Sequence, residues 1–236
     1  DEAEAHRWLQ PALQHGSRLG WAQELAAVFY LYRGDHAASE RYARTAASIS
    51  GAFKLLADAD LRRGDPAAAR ARYAQAFPEL LATKPPEIDE LELAVVAKDL
   101  ACVLQRTGEE ERARLLLDRN EAFFRTSSRE EWAGYEIHLV AVHALRGDSA
   151  KALARLRDSK LAVCGEPLYE WRYYRDFDPT LASIRGEPEF KAAFARIEAE
   201  MAAQRARLAA RPKNAPLAFE QLEKLVAAVT PADEPT

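Results

Sequence analysis

The sequence predicts an all-α fold: antiparallel helical hairpins stacked into a right-handed superhelical solenoid, with a C-terminal capping helix. A short glycine-containing turn recurs four times between segments of helix-forming residues. Apolar residues recur three and four positions apart, as they do on one face of a helix. No stretch alternates apolar and polar residues between turn residues, as a strand would. We therefore expect about ten to twelve helices and no sheet.

The recurring turn is a glycine followed by an acidic residue. Its four copies are Arg33-Gly34-Asp35, Arg63-Gly64-Asp65, Thr107-Gly108-Glu109 and Arg146-Gly147-Asp148. Glycine adopts the left-handed conformation that ends a helix at little steric cost, and the acid after it can cap the next helix and interact with its positive dipole end. Each copy therefore predicts a helix, a tight turn and a second helix.

Small and large residues recur at fixed distances from these turns. The second hairpin carries the fullest set, with Leu56-Ala57 in its first helix and Ala69, Tyr73 and Ala76 in its second. This set resembles the tetratricopeptide repeat family, whose repeats are about 34 residues long. Because the four turn glycines are spaced by 30, 44 and 39 residues, an irregular array with insertions is expected. The resemblance implies a concave face, lined by the first helix of each hairpin, that receives a peptide.

The segment after the array carries aromatic residues and then a long amphipathic helix. The aromatic cluster is Tyr169, Trp171, Tyr173, Tyr174 and Phe177. The helix has an apolar stripe that can cover the last hairpin, formed by Phe190, Phe194, Ile197 and Met201. Residues 176–205 are similar to the end of tetratricopeptide arrays in bacterial membrane-anchored winged-helix regulators. That similarity implies a periplasmic location, with the cytoplasm as the alternative.

Four segments are predicted along the chain. They are a partial N-terminal hairpin (1–19), the helical hairpins (20–165), the aromatic linker with the capping helix (166–211), and an extra helix with a disordered tail (212–236). Since the chain begins at Asp1 and its only methionine is Met201, we expect a piece of a longer signalling or regulatory protein whose anchor or signal segment lies elsewhere.

The charge and hydropathy of the chain argue against two classes of partner. The 33 basic and 37 acidic residues give a formal net charge of −4, without the clustered positive charge on which nucleic-acid binding depends. No apolar run approaches the roughly 20 residues that a membrane span requires. Neither nucleic-acid binding nor membrane insertion is therefore expected, and the predicted partner is another polypeptide.

The sequence also gives little support for catalysis. It contains no dinucleotide-binding glycine motif, P-loop, G-x-S-x-G or H-E-x-x-H motif. His138 and His143 are five residues apart and diverge around a helix, whereas two metal ligands on one face need a spacing of three or four. We expect no enzyme activity, cofactor or metal. The alternative is a solenoid enzyme in which Cys164 and one of these histidines form a nucleophile and base pair.

The predicted binding surface is the concave face of the solenoid. Counted from the turn acids, the inward positions are Trp21, Glu24, Val28, Tyr32, Lys54, Asp58, Arg62, Lys98, Cys102 and Arg106. The peptide site is predicted to consist of Trp21, Tyr32, Lys54, Asp58, Arg62, Lys98 and Arg106.

Two hairpins repeat a lysine and an arginine eight residues apart, as Lys54 with Arg62 and Lys98 with Arg106. This repetition resembles in part the carboxylate clamp of some tetratricopeptide domains, although Asp58 and Cys102 replace the asparagine of that family. The resemblance implies an acidic or C-terminal peptide as ligand. Two alternatives stay open: the cations are solvated surface groups, or the aromatic cluster 169–177 is the pocket of a small-ligand sensor.

Overall fold

A computed structural model describes residues 7, 9–13, 20–46, 50–126, 135–158 and 171–210. Its helices are α1 (Gly20–Tyr32), α2 (His36–Thr45), α3 (Ser50–Arg62), α4 (Pro66–Ala76), α5 (Leu91–Arg106), α6 (Glu110–Thr126), α7 (Tyr135–Leu145), α8 (Ser149–Asp158) and α9 (Pro188–Ala209). Shorter turns are the 3₁₀ helices Pro78–Leu81 and Pro179–Leu181 and the π-helical turn Tyr173–Phe177. No strand occurs in these residues, and the prediction of an all-α fold is confirmed.

The chain forms two compact units, residues 1–197 and 198–236. In the described part of the second unit, Glu200 pairs with Arg207 along α9 at 2.9 Å. The predicted helix from Leu217 to Val229 and the tail after it lie outside the described residues.

The helices of the first unit pack in consecutive pairs. The closest neighbours are α1 with α2, α3 with α4, α5 with α6, and α7 with α8. The first helices of successive pairs, α1, α3, α5 and α7, also pack against one another. At close helix contacts the small residues Ala57, Ala69 and Ala113 are fully buried. Four hairpins therefore place their first helices side by side.

The turn inside each hairpin has the predicted chemistry. Gly34, Gly64, Gly108 and Gly147 have φ angles of 76°, 77°, 81° and 77°. The carboxylates of Asp35 and Asp65 each accept a hydrogen bond at 2.9 Å from the backbone N–H three residues later, and Asp148 accepts one at 3.2 Å. The left-handed glycines and the three aspartate caps confirm the helix–turn–helix prediction. The fourth acid, Glu109, pairs with Arg70 and Arg112.

The left-handed conformation of these glycines leads to a stability prediction. Gly64→Ala should lower the free energy of unfolding by about 1 to 2 kcal/mol, since an L side chain is strained at this φ. A Cβ atom at Gly64 meets nothing within 4 Å, so the loss reports backbone strain alone. The measurement is urea denaturation. Gly186→Ala is the matched control, because Gly186 has equally open surroundings without a left-handed φ, and equal losses for both variants would contradict the prediction.

Residues 171–184, here called the crossing segment, lie against the first helices of the hairpins. Tyr173 belongs to the apolar core formed by α1, α2 and α3. Further along, Pro179–Leu181 packs against α5 and α7. Trp171, Leu181 and Ile184 are buried. The crossing segment therefore spans the face on which the peptide groove was predicted.

The start of α9 follows the crossing segment and packs in the same unit. Phe190, Phe194 and Ile197, three members of the predicted apolar stripe, are buried. The Arg196 guanidinium donates a hydrogen bond to the Arg157 carbonyl oxygen in α8 at 3.1 Å. These contacts place the N-terminal part of α9 beside the last hairpin.

Candidate functional site

The seven predicted site residues fall into two groups. Tyr32, Lys54, Asp58 and Lys98 lie beneath the crossing segment, where Lys54, Asp58 and Lys98 are largely buried. Trp21 is 55% exposed at the start of α1. Arg62 and Arg106 are exposed at the C-terminal ends of α3 and α5.

The first group forms a cluster of buried charges, here called the charge cluster: Lys54, Asp58, Lys98, Asp99 and Asp178. The Lys54 Nζ atom lies 3.4 Å from a carboxylate oxygen of Asp58, 3.1 Å from one of Asp99 and 3.7 Å from one of Asp178. The Lys98 ammonium, only 1% exposed, pairs with Asp99. Two ammonium groups thus face three carboxylates away from solvent.

The crossing segment supplies part of this cluster. The Tyr173 hydroxyl donates a hydrogen bond to the Asp58 carboxylate, and the Tyr173 backbone N–H donates to the Tyr32 hydroxyl oxygen at 3.0 Å. Asp178 brings the third carboxylate, and the Thr180 backbone N–H and hydroxyl donate to it at 2.8 and 2.6 Å. Lys54 and Lys98 already have counter-charges in their own chain, so they are not solvated surface cations.

Burial and charge act in opposite directions on these carboxyl groups. Burial raises the pKa of Asp58 to about 7, more than the Lys54 charge lowers it. Burial also raises the pKa of Asp178, but the charges of Lys54 and Lys98 and the Thr180 hydrogen bonds lower it more, so that this pKa lies below the ordinary value. The carboxylate in excess over the two ammonium groups is therefore that of Asp58, which takes up a proton near neutral pH.

A cavity of about 200 Å³ lies next to the charge cluster. Its walls are formed by Glu24, Val28, Gly51, Lys54, Leu55, Val95, His138, Tyr173 and Tyr174. All four first helices and the crossing segment contribute to them. Burial raises the pKa of Glu24. Burial, together with the nearby charge of Lys98, lowers the pKa of His138 to about 3, so its ring is neutral at pH 7.

The predicted aromatic cluster has a mixed role. Tyr173 and Tyr174 line the cavity, Trp171 is buried, and the Phe177 ring stacks on Tyr32 with centroids 6.0 Å apart. Tyr173, Tyr174 and Phe177 pack with the core of the first two hairpins. Tyr169 lies outside the described residues.

The predicted alternative of a cysteine and histidine enzyme involves Cys164, whereas the structure describes only Cys102 of the two cysteines. Cys102 is buried, and burial raises the pKa of its thiol to about 12, so the reactive thiolate is scarce at neutral pH. Cys164 lies outside the described part of the chain. Among the residues the structure describes, no group of three or more histidine, cysteine, aspartate or glutamate side chains could hold a metal ion. Within that same part, no helix is long and apolar enough to cross a membrane.

Asp99, Asp178 and His138 were not predicted as members of the site. The helical period places His138 on the first helix of a hairpin, but no sequence pattern around His138 predicts that it lines a pocket. Asp178 precedes Pro179 and Thr180, a pattern that predicts only a local cap. A buried lysine requires a carboxylate, but the sequence does not tell which of the 37 acidic residues supplies it.

Comparison with models of protein families, with curated proteins and with solved structures gives no match for this chain.

Proposed function

We propose that the chain is a non-catalytic tetratricopeptide-like solenoid that serves as a protein-interaction or sensory scaffold within a larger bacterial signalling or regulatory protein. The observation that carries the proposal is that the face of the first helices already holds a polypeptide, the crossing segment. That segment is held by side-chain hydrogen bonds, by a hydrogen bond to its main chain at Tyr173 and by the apolar burial of Leu181 and Ile184. Helical arrays bind peptides through the same combination of hydrogen bonds and buried apolar side chains.

Two guanidinium groups of the predicted site remain open to an acidic partner. Arg62 and Arg106 are exposed, and neither forms an ion pair within the described residues. They end α3 and α5, two packed first helices that run in the same direction because one antiparallel helix separates them in sequence. Both charges therefore lie at the same end of the array, where a carboxylate of a partner would meet them.

The test is the affinity for acidic peptides that end in a free carboxylate, measured by fluorescence polarisation. A library is first tested against the wild-type chain, and the tightest peptide is then titrated against Arg62→Ala/Arg106→Ala. We expect about tenfold weaker binding, roughly 1.4 kcal/mol, because two partly screened charge-assisted hydrogen bonds are lost. The affinity should also fall as salt is added.

The matched control is Arg41→Ala/Arg114→Ala, which removes two exposed arginines from the second helices α2 and α6. This variant should bind as the wild type does. If it weakens binding as much as the first variant, the effect comes from net charge alone. If no acidic peptide binds, or if Arg62→Ala/Arg106→Ala retains full affinity, the proposed groove is wrong.

The cavity favours a second candidate function, sensing of a small ligand. Tyr173 and Tyr174 bring aromatic surface to a concave site that also contains Glu24 and His138. Apolar walls with a few polar groups are typical of sites for small molecules. A ligand bound there would contact both the first helices and the crossing segment, and it would thereby stabilise their association.

A further inference from the structure

Two polar groups at the cavity, the Glu24 carboxylate and the His138 ring, can accept hydrogen bonds that no described residue donates. The Glu24 carboxylate has neither an ion pair nor a hydrogen bond within the described residues, and only burial acts on its pKa. The buried Nδ1 atom of His138 has no hydrogen-bond partner in that part of the chain either. In the neutral tautomer that carries its proton on Nε2, this Nδ1 is an acceptor. Both groups would be satisfied by a donor-rich ligand.

Among the described residues that line the cavity, Lys54 is the one cation, and its charge is already compensated. Within the described part of the chain its Nζ atom makes no well-aligned hydrogen bond, but three aspartates lie within 4 Å of it. Together with Lys98 it balances two carboxylates of the charge cluster. The cluster has no positive charge in excess, since its two ammonium groups face three carboxylates. The Glu24 carboxylate therefore remains as an uncompensated charge at the cavity wall. An unpaired charge in a poorly solvated place is costly.

We infer that this cavity binds a primary ammonium group carried on a short alkyl chain. The ammonium group would donate to the Glu24 carboxylate and to His138 Nδ1. An aromatic face attracts a cation. Lys54 Nζ already lies over the Tyr173 ring, 5.3 Å from its centroid, and the Tyr174 ring would attract the ammonium group of the ligand in the same way. Val28, Leu55 and Val95 would contact the alkyl chain. The inference rests on the second candidate function and names its class of ligand.

The size of the cavity fits this chemistry. About 200 Å³ corresponds to the space of roughly seven waters at about 30 Å³ each, enough for an alkylammonium ion of about five heavy atoms. The ammonium group could belong to a free alkylamine or to the lysine side chain of a bound protein, and the experiment must separate these two sources.

Isothermal titration calorimetry at pH 7.5 and low salt tests the inference with four probes. n-Butylammonium should bind, whereas 1-butanol and butyrate of similar size should bind at least tenfold more weakly. The tripeptide acetyl-Ala-Lys-Ala-amide is the fourth probe. Tighter binding of the tripeptide than of butylammonium would assign the site to a lysine side chain, and tighter binding of butylammonium would assign it to a free amine.

Two variants locate the binding in the cavity. Glu24→Gln should weaken binding of the ammonium at least tenfold. It should fold because glutamine has nearly the same shape and removes a partly buried charge that has no ion pair within the described residues. Gly51→Ala keeps the Glu24 charge but displaces it. A Cβ atom at position 51 would lie 1.7 Å from Glu24 Oε1, so the flexible end of the Glu24 side chain would have to move. It should also weaken binding. Glu92→Gln, at an exposed glutamate of the first helix α5, is the matched control and should leave binding unchanged.

The possible failures are distinguishable. Equal binding of butanol and butylammonium, or full affinity in Glu24→Gln, would overturn the ammonium inference while leaving a ligand cavity in place. Binding of none of the four probes would overturn both the inference and the second candidate function. Neither result bears on the acidic-peptide proposal, which Arg62 and Arg106 test separately.

Discussion

Replacing Lys98 with methionine should lower the free energy of unfolding by about 3 to 5 kcal/mol, the usual cost of removing one partner from a buried ion pair. The Lys98 side chain is buried and pairs with Asp99. Without it, Lys54 would be the only ammonium group facing the three carboxylates of the charge cluster. Methionine is chosen because it replaces most of the lost packing volume. Urea denaturation at pH 7 measures the effect.

Arg106→Met is the control for this prediction. It removes a cation from the same helix, α5, but from an exposed position, where a substitution usually changes stability by no more than about 0.5 kcal/mol. If the two variants were equally stable, Lys98 would be hydrated in solution, and the buried charge cluster would be wrong.

The second large effect is a gain in stability. Asp58→Asn should raise the free energy of unfolding at pH 8 by roughly 2 to 4 kcal/mol, because the pKa of Asp58 is about 7 in the folded chain and about 3.9 when unfolded. A carboxyl group of this kind favours folding at acidic pH, and that contribution is lost as the pH rises from about 4 through 7. Asparagine cannot ionise, and it retains an oxygen that can accept from the Tyr173 hydroxyl.

Urea denaturation of the wild type and of Asp58→Asn between pH 5 and pH 8 measures this effect, and the difference between them should grow with pH. Asp178→Asn should act in the opposite direction and destabilise at pH 7, since the pKa of Asp178 is lowered and its contribution is lost only as the pH falls below about 4. A destabilising Asp58→Asn at pH 8 would show that Asp58 is ionised at no cost in the folded protein.

The hairpin turns could be predicted from the sequence because their cause is local. A glycine such as Gly64 and the aspartate after it determine a left-handed turn and a cap within a few residues. Counting from these turns also placed Tyr32, Lys54, Asp58 and Lys98 on one face. That placement needs only the helical period, so it could be made without knowledge of the rest of the chain.

The occupant of that face could not be predicted in the same way. Periodicity shows which side of a helix faces inward, but it does not show what covers that side. Asp178 lies more than a hundred residues after Lys54, and no local pattern connects them. Lys54 has Asp178 of the crossing segment beside it as well as Asp58 and Asp99, and Lys98 pairs with Asp99, so both ammonium groups have their counter-charges inside the chain. Arg62 and Arg106 stay exposed because they lie at the C-terminal ends of α3 and α5.

The crossing segment also changes how the array can come apart. In a simple repeat array each unit touches only its neighbours, so stability is close to a sum of local terms and end units can fray alone. Here the Tyr173 backbone N–H donates a hydrogen bond to Tyr32, 141 residues earlier. Leu181 of the same segment is buried in the 3₁₀ helix Pro179–Leu181, which packs against α5 and α7. Such long-range closure couples the first hairpin to the last, slows folding and makes the four hairpins one cooperative unit, so that no hairpin can be deleted without loosening the others.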